Sequence, residues 1–222
     1  ETIEIRFMTA KDEDILSSTA LLKKGLAIDR LLESLIVVDI DPSTIIIGDR
    51  NAIMIAARIS SYGAGYDVNL ACPKCDSKVS YSFDLKKTNL NNECFDQGYL
   101  DEYNVKFNEE ACLFEVELPN SEVTVGVRML DGQDEKDLLN IDEDHSITSM
   151  LSAIVASVGA DDNPVAVASF VENMPASDSK FLRSLYSILA PNIDLKQGFV
   201  CEVCFERKDM EVPLTAEFFW PG

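Results

Sequence analysis

The chain has 222 residues, 46 % of them hydrophobic, which is enough for one large or two small domains with real cores. Its 39 acidic residues against 19 basic ones give a formal charge of −20, and this excludes binding of nucleic acid through its phosphates, which requires clustered Lys and Arg. The longest aliphatic runs, Leu35 to Val38 and Ile45 to Ile47, fall far short of the roughly 20 apolar residues of a membrane span.

Ile3, Ile5 and Phe7 alternate with Glu4 and Arg6, the period of a half-buried strand. Thr9 caps an acidic helix start running to Asp14. Residues Ile15 to Val38 read as helix in two pieces broken near Gly25, and in the second piece Ile28, Leu31, Leu32 and Leu35 draw one apolar face. Pro42 ends that element. Ile45 to Ile47 form a short buried run, and Gly48-Asp49-Arg50-Asn51 turn into a helix through Ile53, Ala57 and Ser60, with Asp49 as N-cap and Gly63 as stop. An aspartate where a phosphate would sit argues for capping and against a phosphate loop.

Tyr66, Val68 and Leu70 alternate as a strand entering Cys72-Pro73-Lys74-Cys75, and Val79, Tyr81, Phe83 and Leu85 as the strand leaving it. Lys86 to Asn108 is polar and reads as a connection. Phe114 to Leu118 and Val123 to Met129 make a hairpin about Pro119-Asn120-Ser121. Three helices follow. Asp131 caps one through Leu139, and Ser146 caps a second whose apolar face, from Ile147 through Ile154 and Val155 to Val158, ends at Gly159. A shorter element spans Val165 to Val171, and a last helix runs from Ser177 or Asp178 to Pro191. Beyond Gly198 comes a second cysteine pair, Cys201-Glu202-Val203-Cys204.

Two thiolates separated by two residues reach one tetrahedral ion from a single turn, and two such turns complete a four-sulfur shell. Cys72, Cys75, Cys201 and Cys204 therefore form one expected site for a single structural zinc, and four sulfurs leave no position for catalysis. The text after each pair is similar. Phe83 and Leu85 follow Cys75 at the same offsets as Val212 and Leu214 follow Cys204. A redox role for one pair would need a βαβ setting. A disulfide framework would need a secreted chain, and Glu1-Thr2-Ile3-Glu4 has no basic region or apolar core of a signal peptide.

The expected fold is α+β: a four-Cys zinc ribbon with an N-terminal helical region and a large inserted α+β domain between the knuckles. Residues 1–86 hold the helical region and first knuckle, 87–198 the inserted hairpin and helices. Residues 199–222 hold the second knuckle and an aromatic tail, packed with 66–86. Cys94 and Cys112 lie outside the knuckle spacing and read as buried thiols. The single histidine, His145, follows Asp142-Glu143-Asp144 before a helix, where acidic groups favour the helix dipole and need no ligand. No catalytic constellation emerges. Phe218, Phe219 and Trp220, the last being the only tryptophan, need a surface to cover them, and that surface is either the chain's own ribbon or a partner.

Phe7 to Leu16, the Leu22 to Leu32 segment with Lys23-Lys24-Gly25, Gly48-Asp49-Arg50-Asn51-Ala52, Tyr62-Gly63 ahead of the first cysteine pair, and the second pair followed by Pro213-Leu214-Thr215 and Phe218-Phe219-Trp220-Pro221 resemble the T4-type phage baseplate family. The resemblance spans nearly the whole chain and is sharpest at its ends. It implies a hub or hub-assembly protein of a contractile tail, made in the bacterial cytoplasm. The favoured reading is a non-enzymatic structural component of the tail baseplate, resident in the virion in multiple copies and contacting hub or wedge proteins. Alternatives are a transient assembly chaperone left out of the particle and a zinc-ribbon regulator of host transcription machinery. The charge opposes the nucleic-acid half of the last.

Overall fold

A computed structural model of the chain describes residues 2–23, 25–91, 97–139, 146–212 and 218. The N-terminal segment is extended but forms no strand. It makes one antiparallel bridge, Ile5 to Ile36, flanked by hydrogen bonds from Arg6 N–H to Leu35 O and from Val37 N–H to Glu4 O. The expected half-buried alternation fails at Phe7, which is 71 % exposed, because a single bridge builds no sheet face to cover it. Helix α1 (Ala10–Ser17) starts after Thr9, whose N–H donates to Asp12 Oδ2 at 2.7 Å, one arm of a capping box. Helices α2 (Thr19–Lys23) and α3 (Ala27–Leu35) are separated at Gly25, where φ is +67°, a conformation that favours glycine. Leu31, Leu32 and Leu35 are buried as their spacing predicts. Helix α3 ends at Leu35, three residues short of the expected Val38, because Ile36 turns extended to meet Ile5.

Helix α4 (Ile47–Tyr62) begins earlier than the Gly48-Asp49 turn implied. Asp49 thus sits in the first turn, where it favours the positive end of the helix instead of capping it. Gly63 does close the helix: its φ is +85° and its N–H donates to Ile59 O at 2.9 Å. Strands β1 (Gly65–Ala71) and β2 (Lys78–Asp84) pair antiparallel with Tyr66 opposite Phe83 and Leu70 opposite Val79. Strand β3 (Asn89–Asn91), helix α5 (Gln97–Glu102) and strand β4 (Val105–Asn108) occupy the stretch that its polarity marks as a plain connection. Among the described residues Leu100 of α5 and Val105 of β4 are buried in the core and Phe107 packs against it, too few to show a period.

Strands β5 (Leu113–Glu117) and β6 (Thr124–Val127) form the expected hairpin, Val116 opposite Val125. Asp131 accepts from the N–H groups of Gln133 and Asp134 at the start of α6 (Gly132–Leu139). The long apolar face after Ser146 divides. Helix α7 (Ser146–Ile154) gives way to strand β7 (Val155–Val158), which pairs with β6. A buried β-branched residue fits either element, and here the open edge of β6 decides. The close approach of β7 also explains Gly126, where a Cβ would collide with Ser157 Oγ. Helix α8 (Pro164–Glu172) is capped by Asn163, whose side chain accepts from Val165 N–H at 2.9 Å. Helix α9 (Ala176–Leu189) starts just before Ser177, so Asp178 is not its cap. The buried Asp178 carboxylate instead accepts from the Asn120 and Ser121 N–H groups at 2.9 and 3.0 Å, fixing the β5–β6 turn. Strands β8 (Asn192–Asp194), β9 (Lys196–Val200) and β10 (Arg207–Glu211) complete the chain.

The molecule divides into two compact units. One comprises residues 1–42, 49–90 and 192–222, the other 43–48 and 91–191. The second unit is a four-stranded sheet in the order β4-β5-β6-β7, entirely antiparallel, with a core that includes Phe114, Val116, Leu151, Ile154, Leu182 and Leu185. The first unit packs Leu16, Leu31 and Leu35 with Ile55, Tyr66, Phe83 and Val212. Strands β3 and β8 pair with each other. They are the segments by which the chain leaves and re-enters the first unit.

A buried carboxylate pins the first unit together. Asp12 is fully buried and takes both guanidinium nitrogens of Arg6 at 2.8 Å, together with the Ser34 hydroxyl at 2.7 Å and the N–H and hydroxyl of Thr9. The Arg6 guanidinium first, then the Ser34 and Thr9 donors, hold its pKa well below the ordinary carboxylate range. A depressed folded-state pKa contributes stability that is complete above the ordinary value and is lost as the pH falls below it. Asp12→Asn is therefore expected to cost about 2 kcal/mol near neutrality, moderated by the solvent around Arg6. The gap from wild type should close on acidification below about pH 4. Urea unfolding of both proteins across that range measures it, and a gap independent of pH would contradict the account.

Candidate metal centre

Each cysteine pair sits in the loop of a two-stranded antiparallel hairpin, β1–β2 for the first and β9–β10 for the second. The loops have the same construction. Cys72 N–H donates to Ser77 O at 3.0 Å and Cys201 N–H to Glu206 O at 2.9 Å. Asp76 N–H donates back to Cys72 O at 2.9 Å, and Phe205 N–H to Cys201 O at 3.0 Å. Asp76 and Phe205 take φ values of +56° and +58°, the left-handed residue that tightens each turn. In the second loop Val203 N–H also points at Cys201 Sγ, 3.4 Å away. The two similar halves expected of the ribbon are thus two separate two-stranded sheets.

Side chains lock the hairpins together. Tyr81 donates to Gly198 O at 2.6 Å and packs edge-on against Phe199, ring centroids 5.1 Å apart. The Gln197 amide spans Asp84, accepting from its N–H at 3.2 Å and donating to its carbonyl at 2.9 Å, while Lys74 pairs with Glu206. Cys72 and Cys201 are buried with Val79 and Phe199 in a small cluster between the sheets.

The four sulfurs lie within 4.8 Å of one another, with Cys72 to Cys204 at 3.7 Å and Cys75 to Cys201 at 3.8 Å. Sulfurs about 2.3 Å from a central tetrahedral ion stand about 3.8 Å apart, so the cluster has the dimensions of a four-thiolate metal shell. The same separations are far beyond the roughly 2 Å of a disulfide. Hydrogen bonds from the Ser77 side chain and N–H pull Cys75 down to about 6. Cys204 accepts from Glu206 N–H, yet burial and hydrogen bonding with Cys75, Cys201 and Cys72 push it up to about 12. Four sulfurs this close cannot all carry charge unless a cation sits among them. These four residues could hold a metal ion.

The model of the T4 bacteriophage base plate protein family matches residues 1–220. The chain belongs to that family. No curated protein matches it, and no solved structure does. Among the described residues no helix is long and apolar enough to cross a membrane.

The base plate family match extends into the C-terminal tail, where the structure places Phe218 alone of the three aromatics. Phe218 is buried, edge-on to Tyr66 with ring centroids 5.3 Å apart. Its side chain is covered by the chain's own first unit. Phe219 and Trp220 lie outside the described residues, as do Cys94 and His145. Cys112, expected as a buried thiol, is exposed on a left-handed turn with φ of +53°. Among the described residues it is not one of the clustered cysteines.

One residue of consequence has no signal in the sequence. Arg58, on α4, is 1 % exposed, and its guanidinium donates to three backbone carbonyls: Phe218 at 2.6 Å, Gly63 at 2.9 Å and Gly65 at 3.2 Å. Its charge also lies 5.1 Å from the centre of the Tyr62 ring. Burial, foremost, and then the hydrogen bond to Glu13 push the Tyr62 phenol up to about 12, so the ring under the cation is neutral. Desolvation lowers the Arg58 pKa, but a guanidinium remains protonated at any working pH. Arg58 thus joins the end of α4, the start of β1 and the tail. Only a homologue comparison would have drawn attention to an arginine inside an apolar helix.

Proposed function

We propose that this chain is a non-enzymatic structural component of a contractile-tail base plate in the virion, joining hub or wedge proteins in a multi-copy assembly. One zinc ion held by Cys72, Cys75, Cys201 and Cys204 stabilises its frame, into which residues 91–191 are inserted as a domain. The observation that carries this is the four-sulfur shell in a chain of the base plate family. Four protein ligands leave a metal no open position for substrate or water, so the ion would supply rigidity and no reaction. Phe219 and Trp220 are proposed as partner contacts beside the anchored Phe218.

Cross-linking with mass spectrometry on purified tails, with metal analysis of the isolated chain, tests the proposal. The expected result is cross-links to hub or wedge proteins at a fixed stoichiometry and about one zinc per chain. A chain bound to hub precursors in infected cells but missing from tails would instead make it an assembly factor. Iron in place of zinc would keep the shell and correct the metal.

A further inference from the structure

The two knuckles match in backbone but differ in what they present to solvent. Val203 and Phe205 stand at the positions that Lys74 and Asp76 hold in the first knuckle. Phe205 is 77 % exposed and Val203 60 %, and Val200, ending β9, is also exposed. The backbone of Phe205 makes this harder to explain by folding alone. Its φ of +58° is a conformation that Asp and Asn adopt far more readily than a bulky aromatic. Asp76 occupies the matching site at +56°. An aromatic held in a disfavoured conformation with its ring in water does nothing for the hairpin that carries it, and unfavourable backbone of this kind concentrates at functional positions.

We infer that the tip of the second knuckle, Phe205 with Val203, is an apolar anchor that docks into a base plate protein other than this one, in an apolar pocket rimmed by Lys and Arg. The inference rests on the proposed base plate role. Charge selects the partner. Glu202 directly precedes Val203, Glu206 after Phe205 is paired with Lys74, and Arg207, Lys208 and Asp209 follow, so the selecting charge is that of the whole chain, −20. Two copies would bring together two chains that each carry −20, whereas a basic partner is drawn to this one. The anchor is held rigid before it binds. Val203 N–H is directed at Cys201 Sγ and Phe205 N–H at Cys201 O, so the backbone is fixed at the sulfur cluster while both side chains face outward. Little conformational freedom remains to be lost on docking.

The test uses base plates assembled during infection with Phe205→benzoylphenylalanine or, as control, Asp76→benzoylphenylalanine, together with Phe205→Asp and Val203→Asp. The expected cross-link runs from position 205, and not from 76, to an apolar segment flanked by Lys or Arg in a different base plate protein. Phe205→Asp should lower the amount of chain in base plates by about tenfold or more, while the isolated variant melts at or above the wild-type temperature because Asp suits the left-handed turn. Val203→Asp, whose backbone is not left-handed, gives a second reading should Phe205→Asp fold poorly. Incorporation of both variants at wild-type levels would overturn the anchor and leave the base plate role intact. A cross-link to a second copy would overturn the choice of partner. Absence of the wild-type chain from base plates would remove the proposed role and the anchor with it, an outcome distinct from the other two.

Discussion

Cys72→Ser is expected to empty the four-sulfur site and lower the melting temperature by about 10 °C, corresponding to a loss of about 4 kcal/mol in a chain of this size. The reason lies in the two hairpins. Each is a two-stranded sheet, which is marginal alone, and the apolar cluster between them is small: beside the cysteines it buries Val79 and Phe199, with Leu70, Tyr81 and Met210 only partly buried against them. The ion would be the main bond between the sheets, with Tyr81, Gln197 and the Lys74–Glu206 pair aligning them. A chelator should have the same effect as the substitution, and Cys201→Ser should match Cys72→Ser because the two residues play the same part in matching loops. Cys112→Ser, at an exposed thiol outside the cluster, should change neither metal content nor melting. Full metal content and unchanged melting in the Cys72 variant would falsify the shared site.

Arg58→Ala should cost about 3 kcal/mol and release the C-terminal tail. Removing the guanidinium withdraws donors from three carbonyls and leaves a void beside Tyr62. The opposing term is the desolvation of a buried cation, which the substitution relieves. Three hydrogen bonds from a charged donor, at about 1.5–3 kcal/mol each, outweigh it. Arg58→Lys keeps the charge but offers a point donor where a planar fork bridges three acceptors, so it should recover only part of the loss. Denaturant unfolding gives the stability, and limited proteolysis followed by mass spectrometry reports whether residues after Val212 are cleaved sooner. A tail no more susceptible in Arg58→Ala than in wild type would show that Phe218 is held by packing against Tyr66 alone.

What could be read in the sequence was what repeats or has a period. The cysteine pairs and their matching flanks located the four-sulfur cluster, and the spacing of Leu31, Leu32 and Leu35 located the buried face of α3. The alternation about Pro119-Asn120-Ser121 located the β5–β6 hairpin. The failures were of two physical kinds. In one, local pattern was ambiguous and a neighbour decided: Val155 to Val158 continued a helical stripe until the edge of β6 took them as a strand, and Ile36 left α3 to meet Ile5. In the other, a polar stretch supplied only one or two core residues per element, so α5 and β4 showed no period. Arg58 and Asp178 belong to neither kind. Their roles come from backbone groups that the fold turns toward them, Phe218 O for Arg58 and the Asn120 and Ser121 N–H groups for Asp178 being distant in the chain, and composition and spacing do not encode these.

The separation of the two knuckles sets an order of events during synthesis. Cys75 and Cys201 are 126 residues apart, an interval a ribosome covers in about 6–25 s at 5–20 residues per second. For that time the first knuckle has only two sulfurs to offer an ion. The intervening sheet and helices can fold meanwhile, since their contacts lie within residues 91–191 and with residues 43–48, which are made earlier, and pairing of β3 with β8 then brings the late cysteines back toward the early ones. Capture of a metal by all four sulfurs would thus be a late event of biogenesis, a latch that sets only after Cys204 has emerged, and chains ending before it would be left without the site.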